Sequence, residues 1–529
     1  MFLADKVFLN GVLYTLKSAG DTARAMAVRD GKILQVGAEE EIRKIPAKET
    51  IDLGGGTVIP AFSNSHCHLA EMVEGLYKVD LSDTKSINDI IDKMKAALPG
   101  VKPGQWLQGY QLRQRNLAEQ RLPDRYDLDK VSAEVPIFLS SYGLHQFMLN
   151  SPALRITGLK KGFDKPGSEL LLTDRDGEPT GLLSEHRLLP YVWPFKPKSG
   201  IGDKEEQKEA LRKHLLCLAR EGYTTLHTFD GFDGSVLNDL NLYQELAGEN
   251  KLTMRVIFNR ERCMNNPLGA ISGLGNEWVK FGAFKIFTDG SFSERTSFLL
   301  EDYEGRPGDR GKLAHPRQEY ESLITQAYEA GNDIAVHASG DGAVEIFMEL
   351  IEKIHTPSLP GQFRLIHASL TAPHQWARLG KYHVLADVQP VFIPSIKITG
   401  PACLGARAQY MQAYKSMLKN GMLPTGGNDG PIGPSNPFIG IRYAVLREAG
   451  FGGEPLFPEE CLSVYEAVCM YTKNSAYCAH EEGIKGTLEA GKLADFIVLD
   501  RDVFKIPAKE ISDIKVKQTW LGGKNLFQD

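Results

Sequence analysis

The chain has 529 residues, 42% of them hydrophobic, and a formal charge of −6. That length exceeds one ordinary core and implies two or three domains. The mildly acidic balance, with no basic stripe, argues against a nucleic-acid partner. No run of about 18 apolar residues is present to span a bilayer, so no membrane partner is expected. The N-terminus, Met1-Phe2-Leu3-Ala4-Asp5-Lys6, carries charges where a signal peptide needs an apolar core. Seven scattered cysteines, an odd number, fit reduced thiols better than a disulfide framework. A cytoplasmic protein is expected.

Residues 1–56 read as β-structure. Asp30-Gly31 stands between the apolar pieces 25–28 and 32–36, a hairpin signal. The C-terminus has the same character, with a turn and strand over 491–500 and a strand over 514–521 ending in Gly522-Gly523. The two ends are expected to pair as one small β-sandwich domain, residues 1–56 with 484–529. The apolar run 58–62 then predicts a buried strand, and it leads into His66-Cys67-His68. Strand side chains alternate faces, so both imidazoles point one way and Cys67 the other. Two neutral imidazoles on one face can grip one divalent metal.

About 150 residues separate this strand from the next candidate, far more than a βα connection needs. A helix over 87–97 and a strand over 136–140 mark an inserted α+β subdomain, residues 79–202. Its exit is the Pro-, Lys- and Gly-rich stretch 190–202. Its aromatic and basic residues Trp106, Tyr110, Arg113 and Arg115 are candidates for a pocket roof. Beyond it, short apolar strands alternate with helical patterns. The strands are predicted at 224–229, 254–258, 279–287, 333–338, 363–368, 384–388 and 423–427, with helices such as 317–330 and 343–354. With 58–62 there are eight, which predicts a TIM (β/α)8 barrel over 57–78 and 203–483. An open doubly wound sheet fits the same rhythm less well.

Polar residues gather at one end of these predicted strands. They are His66 and His68, Lys285 in Phe284-Lys285-Ile286, His337, His367 and Asp429. A lone buried histidine is more often a satisfied core residue, but four converging by topology point to a site. A lysine flanked by Phe284 and Ile286 is costly to bury as a cation. A neutral amine can capture carbon dioxide as a carbamate, an anionic ligand able to bridge two metals. Asp289 and Ser291 follow Lys285 in a loop at the same end and are candidates to touch substrate, although Asp289-Gly290 also reads as a plain turn. His227 ends the second strand, where a pocket role and simple packing are evenly matched.

These motifs, with the tail Gly486-Thr487-Leu488-Glu489-Ala490-Gly491-Lys492-Leu493-Ala494-Asp495, resemble the amidohydrolase superfamily over nearly the whole chain. The match is to its YtcJ-like metal-dependent hydrolases, which include N-substituted formamide deformylases. The resemblance implies that His66 and His68 hold the more buried metal, that carboxylated Lys285 bridges two metals, and that His337 and His367 hold the second. Asp429 would ligate the first metal and act as general base, and His145 would lie near the substrate. Zinc is the expected ion for imidazole and carboxylate ligands, with manganese or iron as alternatives. Departures from the family pattern fall beside the ligands, as in Asn64-Ser65-His66-Cys67-His68 and Gly340-Asp341-Gly342-Ala343. The second of these lacks an arginine that could anchor an anionic substrate.

The implied reaction is hydrolysis of a non-peptide C–N bond by metal-activated hydroxide, in an amide, N-acyl or N-formyl amine, carbamate or cyclic ureide. The expected substrate is a small apolar or aromatic molecule. Ester hydrolysis, deamination or decarboxylation would use the same site. A non-catalytic regulatory or binding protein on this scaffold would be signalled by a lost ligand, yet every ligand position is filled. A homodimer is compatible with the resemblance.

Overall fold

The computed structural model describes residues 3–197, 203–230, 236–261 and 270–529. Eight parallel strands form one sheet, numbered here in chain order. They are β1 (Phe62–Cys67), β2 (Tyr223–Asp230), β3 (Arg255–Glu261), β4 (Val279–Phe287), β5 (Ile334–Ala338), β6 (Phe363–His367), β7 (Leu385–Val388) and β8 (Leu423–Gly426). Each pairs in parallel with the next along the chain. The strands are buried on both faces, as parallel strands wrapped by helices must be. Apolar outward positions such as Cys67, Leu226, Phe258, Ile286, Val336 and Leu365 share one large core with the surrounding helices. Inside, Phe229, Ala283, Ala335 and Ile366 form a separate small cluster. The sheet is a nearly closed TIM-like barrel.

The seam is made by backbone hydrogen bonds just beyond the strand ends. Asp429 N–H donates to the His66 carbonyl at 2.9 Å, and His68 N–H donates to the Gly430 carbonyl at 2.8 Å. Cys67 and Gly430 form an isolated parallel bridge there. Gly427 makes the close approach possible. A Cβ at that position would stand 2.8 Å from both the backbone nitrogen and the Cβ of His66.

The first barrel strand differs from expectation. The run over 58–62 is split between two sheets. Thr57–Pro60 pairs antiparallel with Phe496–Leu499 and parallel with Val12–Tyr14, in a six-stranded sheet built from both termini. After Ala61 the chain enters the barrel, so that His66 and Cys67 lie within β1 itself. A continuous apolar run looks the same whichever buried sheet it joins, and here it serves both. Facing that six-stranded sheet is a four-stranded one made by Ala4–Leu9, Ala25–Arg29, Lys32–Gly37 and Ala47–Asp52. Phe8, Met26 and Val28 of one sheet share a core with Val58, Phe496, Val498 and Trp520 of the other. The hairpin at Asp30-Gly31 has positive φ at both residues, 50° and 75°, as a tight two-residue turn requires.

Between β1 and β2 a six-stranded sheet runs from Val79–Asp80 to Pro179–Ser184. The helix Ile87–Ala97, opened by a Ser86–Asp89 capping box, packs Ile87, Ile90, Ile91 and Met94 against it. Of the expected exit stretch 190–202, residues 198–202 lie outside the described residues. So does Cys263, while Cys67, Cys217, Cys403, Cys461, Cys469 and Cys478 are free thiols. Among the described residues no helix is long and apolar enough to cross a membrane.

The seam yields a test. Gly427→Ala forces a Cβ into the His66 backbone, and overpacking of this kind costs about 1–3 kcal/mol. The variant should melt at lower temperature than the parent. An unchanged melting temperature would show that the seam opens without cost.

Candidate active site

The seam places two imidazoles against one carboxylate. His66 Nε2 is 3.2 Å and His68 Nε2 3.4 Å from Asp429 Oδ1. One donor atom from each of the three lies within 4.8 Å of both others. The remaining expected residues are close by. The His337 and His367 rings are 4.5 Å apart between centroids, and His66 and His367 are 5.5 Å apart. Lys285 is buried, with Nζ 4.9 Å from the Phe229 ring and 4.7 Å from the Phe287 ring. Lys285, His68, His337, His367 and Asp429 all line one cavity of about 40 Å³. His367 and Asp429 both have positive φ, 70° and 53°. Backbone in that region costs on the order of 1–3 kcal/mol for most residues other than glycine and collects at functional sites.

Three of the imidazoles have one nitrogen engaged by an acceptor behind the cavity. His68 Nδ1–H donates to the Phe229 carbonyl at 2.8 Å, and its Nε2 is the nitrogen nearer Asp429. His337 Nε2–H donates to the Gly290 carbonyl at 3.0 Å, while its buried Nδ1 has no hydrogen-bond partner among the described residues. His367 Nδ1–H donates to Gln389 Oε1 at 2.7 Å. Gln389 Nε2 in turn donates to the Asp387 carbonyl at 3.2 Å, which fixes the amide with its oxygen toward His367. Behind His66, Asp387 Oδ2 lies 3.8 Å from Nδ1. Asp387 is itself held by Arg364 Nη2 at 2.5 Å and Ser65 Oγ at 2.5 Å.

The surroundings set the protonation states a metal needs. Burial holds the His337 imidazole well below the ordinary range, with His367, His145 and Lys285 adding to the effect. It lowers His367 to about 4 against the pull of Asp429. Burial alone would raise Asp429, but the adjoining His66 and His68 imidazoles outweigh it and hold the carboxyl well below its ordinary range. Neutral imidazoles beside an ionised carboxylate are the ligand forms that bind divalent ions. The buried, unpartnered nitrogens of His66 and His337 are the atoms such an ion would satisfy.

The other expected residues are placed differently. His145 lines the cavity, its ring 5.3 Å from that of His337. Its Nδ1 is 2.6 Å from Glu185 Oε2, and the Glu185 carboxylate overcomes burial to raise the imidazole to about 9. Asp289 is fully buried and turned into the loop, where it accepts backbone N–H bonds from Phe298, Ser339 and Gly340 at 2.8–3.0 Å. Ser291 Oγ pairs with Ser293 Oγ at 3.1 Å. His227 is buried inside the barrel with neither ring nitrogen hydrogen-bonded among the described residues. None of these last three is among the lining residues. From the segment between β1 and β2, Phe138, Phe147, Leu189 and Trp193 line the cavity, and Trp106, Tyr110 and the two arginines do not. Trp106 is packed in the insertion's own core, and Arg113 lies 3.7 Å over the Tyr142 ring. Glu185 and Gln389 gave no local sequence signal, because each is defined by a contact with a distant histidine.

The depressed histidines carry a pH dependence. A folded value near 4 for His367, against an ordinary 6.5, gives stability that is full above pH 6.5 and lost as pH falls toward 4. The metal-free protein should therefore lose denaturant resistance across that window, and His367→Gln should flatten the profile. A His367→Gln profile as steep as the parent's would exclude this histidine as a source. Gln389→Leu should weaken divalent-ion affinity about 10- to 100-fold, as loss of a partner behind a ligand does, in a competition titration with a chelating dye.

With the geometry in hand, comparison with known proteins places the chain. A profile of the amidohydrolase family matches residues 49–527. YtcJ of Bacillus subtilis (strain 168) is 30% identical over 529 residues, covering 99% of each chain. The N-substituted formamide deformylase of Arthrobacter pascens is 26% identical over 541 residues, covering 98% of each. The crystal structure of an uncharacterized metal-dependent hydrolase from Pyrococcus horikoshii OT3 superposes with a TM-score of 0.75 at 26% identity, covering 95% of this chain and 99% of that one. The chain belongs to the amidohydrolase family.

Proposed function

We propose that the protein is a metal-dependent hydrolase of a non-peptide C–N bond in a small apolar or aromatic substrate. The observation that carries this reading is the convergence of His66 Nε2 and His68 Nε2 on Asp429 Oδ1. In this reading His66, His68 and Asp429 would hold one ion and His337 and His367 a second, with Lys285, if carboxylated at Nζ, as a further ligand shared between them. Zinc is the ion the donor set favours, since imidazole and carboxylate ligands suit it. The deformylase relative supports C–N cleavage, and the apolar walls Phe138, Phe147, Leu189, Trp193, Phe287 and Ile432 support an apolar substrate.

A divalent ion bound there supplies Lewis acidity toward the substrate carbonyl and makes a water easier to deprotonate at neutral pH. The protein's own groups do the rest. Asp429 takes the proton from the attacking water and delivers it to the leaving nitrogen as the C–N bond breaks. His145, held by Glu185, presents its ring to the cavity beside His337 and positions the carbonyl. The roof excludes water, so charges in the cavity act at short range. The two terminal sheets, Thr57–Pro60 included, are read as a β-sandwich, and residues 79–202 as an inserted subdomain over the barrel mouth.

Metal content by plasma mass spectrometry tests this on wild type and Lys285→Ala, each reconstituted with zinc and bicarbonate. A sharp fall in the variant relative to the wild type is expected of a bridged pair. Equal content in both proteins would remove the bridging role. No bound metal in either would sink the hydrolase mechanism. Asp429→Asn should lower kcat on any amide or carbamate found by screening about 10²- to 10⁴-fold, the usual worth of a positioned base.

A further inference from the structure

A second set of ligand-bearing side chains adjoins the first. His145 comes from the turn between Ile137–Ser141 and Gln146–Leu149, Glu185 follows Pro179–Ser184, and Glu294 lies in the loop after β4. One donor atom from each lies within 4.8 Å of both others. The side chains of His145 and Glu185 are only 6% and 8% exposed. Ser141 Oγ donates to Glu294 Oε1 at 3.2 Å. Glu185 Oε1 and Glu294 Oε2 are buried with no hydrogen-bond partner among the described residues.

The donor supply falls short of the acceptors. Two carboxyl groups offer up to about eight lone-pair positions, whereas an imidazolium has two N–H groups and a serine one O–H. His145 Nδ1 is already committed to Glu185, and its ring faces the catalytic cavity. Uncompensated carboxylate oxygens in a buried place are costly unless a cation joins them. The electrostatics agree with the geometry. Burial pushes Glu294 up to about 7, with Glu185 adding to the rise against the pull of His145.

We propose that His145, Glu185 and Glu294 form a further divalent-cation site, separate from the one at His66, His68 and Asp429. One imidazole and two carboxylates suit zinc, manganese or iron, and three protein ligands leave a position for water. On binding, His145 Nδ1 gives up its proton and both partners of the 2.6 Å contact become ligands. Neighbouring donors on zinc stand about 3.3 Å apart for bonds of 2.0–2.1 Å, so Glu185 withdraws by less than 1 Å. Two ligands belong to the segment between β1 and β2 and the third to a barrel loop. The ion therefore clamps the roof to the barrel and sets the ring of His145 over the cavity.

The test uses full-length protein stripped with chelator, reloaded with Zn²⁺ and analysed by plasma mass spectrometry. The variants are Glu185→Gln/Glu294→Gln, His66→Ala/His68→Ala and all four changes together. The His66→Ala/His68→Ala protein should retain about one equivalent that the fourfold variant loses, as expected of a single three-ligand site. Zn²⁺ should also raise the melting temperature of the first of these and not of the second. That outcome holds whether or not the His66–His68 centre binds metal, whose failure would appear instead as no loss in His66→Ala/His68→Ala. Equal zinc content in the parent and Glu185→Gln/Glu294→Gln overturns the proposal. If the paired glutamate variant does not fold, Glu294→Gln alone decides. At least tenfold weaker Zn²⁺ binding in the His66→Ala/His68→Ala background is expected, and unchanged binding overturns the site.

Discussion

The arrangement of the site depends on two backbone hydrogen bonds across the barrel seam. They join segments more than 360 residues apart, Asp429 N–H to His66 O and His68 N–H to Gly430 O. The side chains of His66, His68 and Asp429 can meet because the main chains meet first. A slip of one residue in a strand reverses the face of every side chain on it. Gly427 enforces the register sterically, since the backbone of His66 occupies the space its Cβ would take. Sequence on either side of the seam is thereby tied to the other through geometry alone.

Behind that seam the barrel interior is polar in one place and apolar in another. The Arg364–Asp387 pair is buried at 1% and 0% exposure, and Arg364 Cζ lies 5.3 Å over the Phe229 ring. A buried ion pair is rarely kept for stability, since desolvation offsets most of its attraction. Its position explains it better. Asp387 faces His66 Nδ1, and its main-chain carbonyl fixes the amide of Gln389, which in turn fixes His367. One strand, β7, thus orients proposed ligands from β1 and β6 without contributing a ligand itself.

Much of this was legible in the sequence. The strand over 279–287 was bounded to the residue, and the later barrel strands to within a few, because short apolar runs ended in turn residues. The run at 58–62 misled because periodicity does not say which sheet buries a strand. His66, His68, His337, His367, Lys285 and Asp429 stand out as candidates because their chemistry is unusual at strand ends. Asp289 read equally as ligand-facing or as a turn, and its carboxylate organises the loop through three N–H bonds. Glu185, Gln389 and Asp387 had no such signature. Each matters through a tertiary contact with one imidazole, and no local pattern encodes that.

The source of each tautomer-fixing contact also decides which proposed ligands can be tuned. For His68 and His337 the acceptors are the carbonyls of Phe229 and Gly290, which no side-chain substitution removes. For His367 the acceptor is the side chain of Gln389, and for His145 it is Glu185. Changing Gln389 to a carboxylate would make His367 more basic and a stronger donor to metal, whereas an apolar residue would free the ring to rotate. The two histidines held by main chain form a fixed frame, and the two held by side chains are adjustable. Both members of the adjustable pair neighbour His337, with ring centroids 4.5 Å and 5.3 Å from its own. Variation in metal affinity and substrate choice among chains with this proposed ligand set is therefore expected to concentrate at positions 389 and 185, not at the histidines themselves.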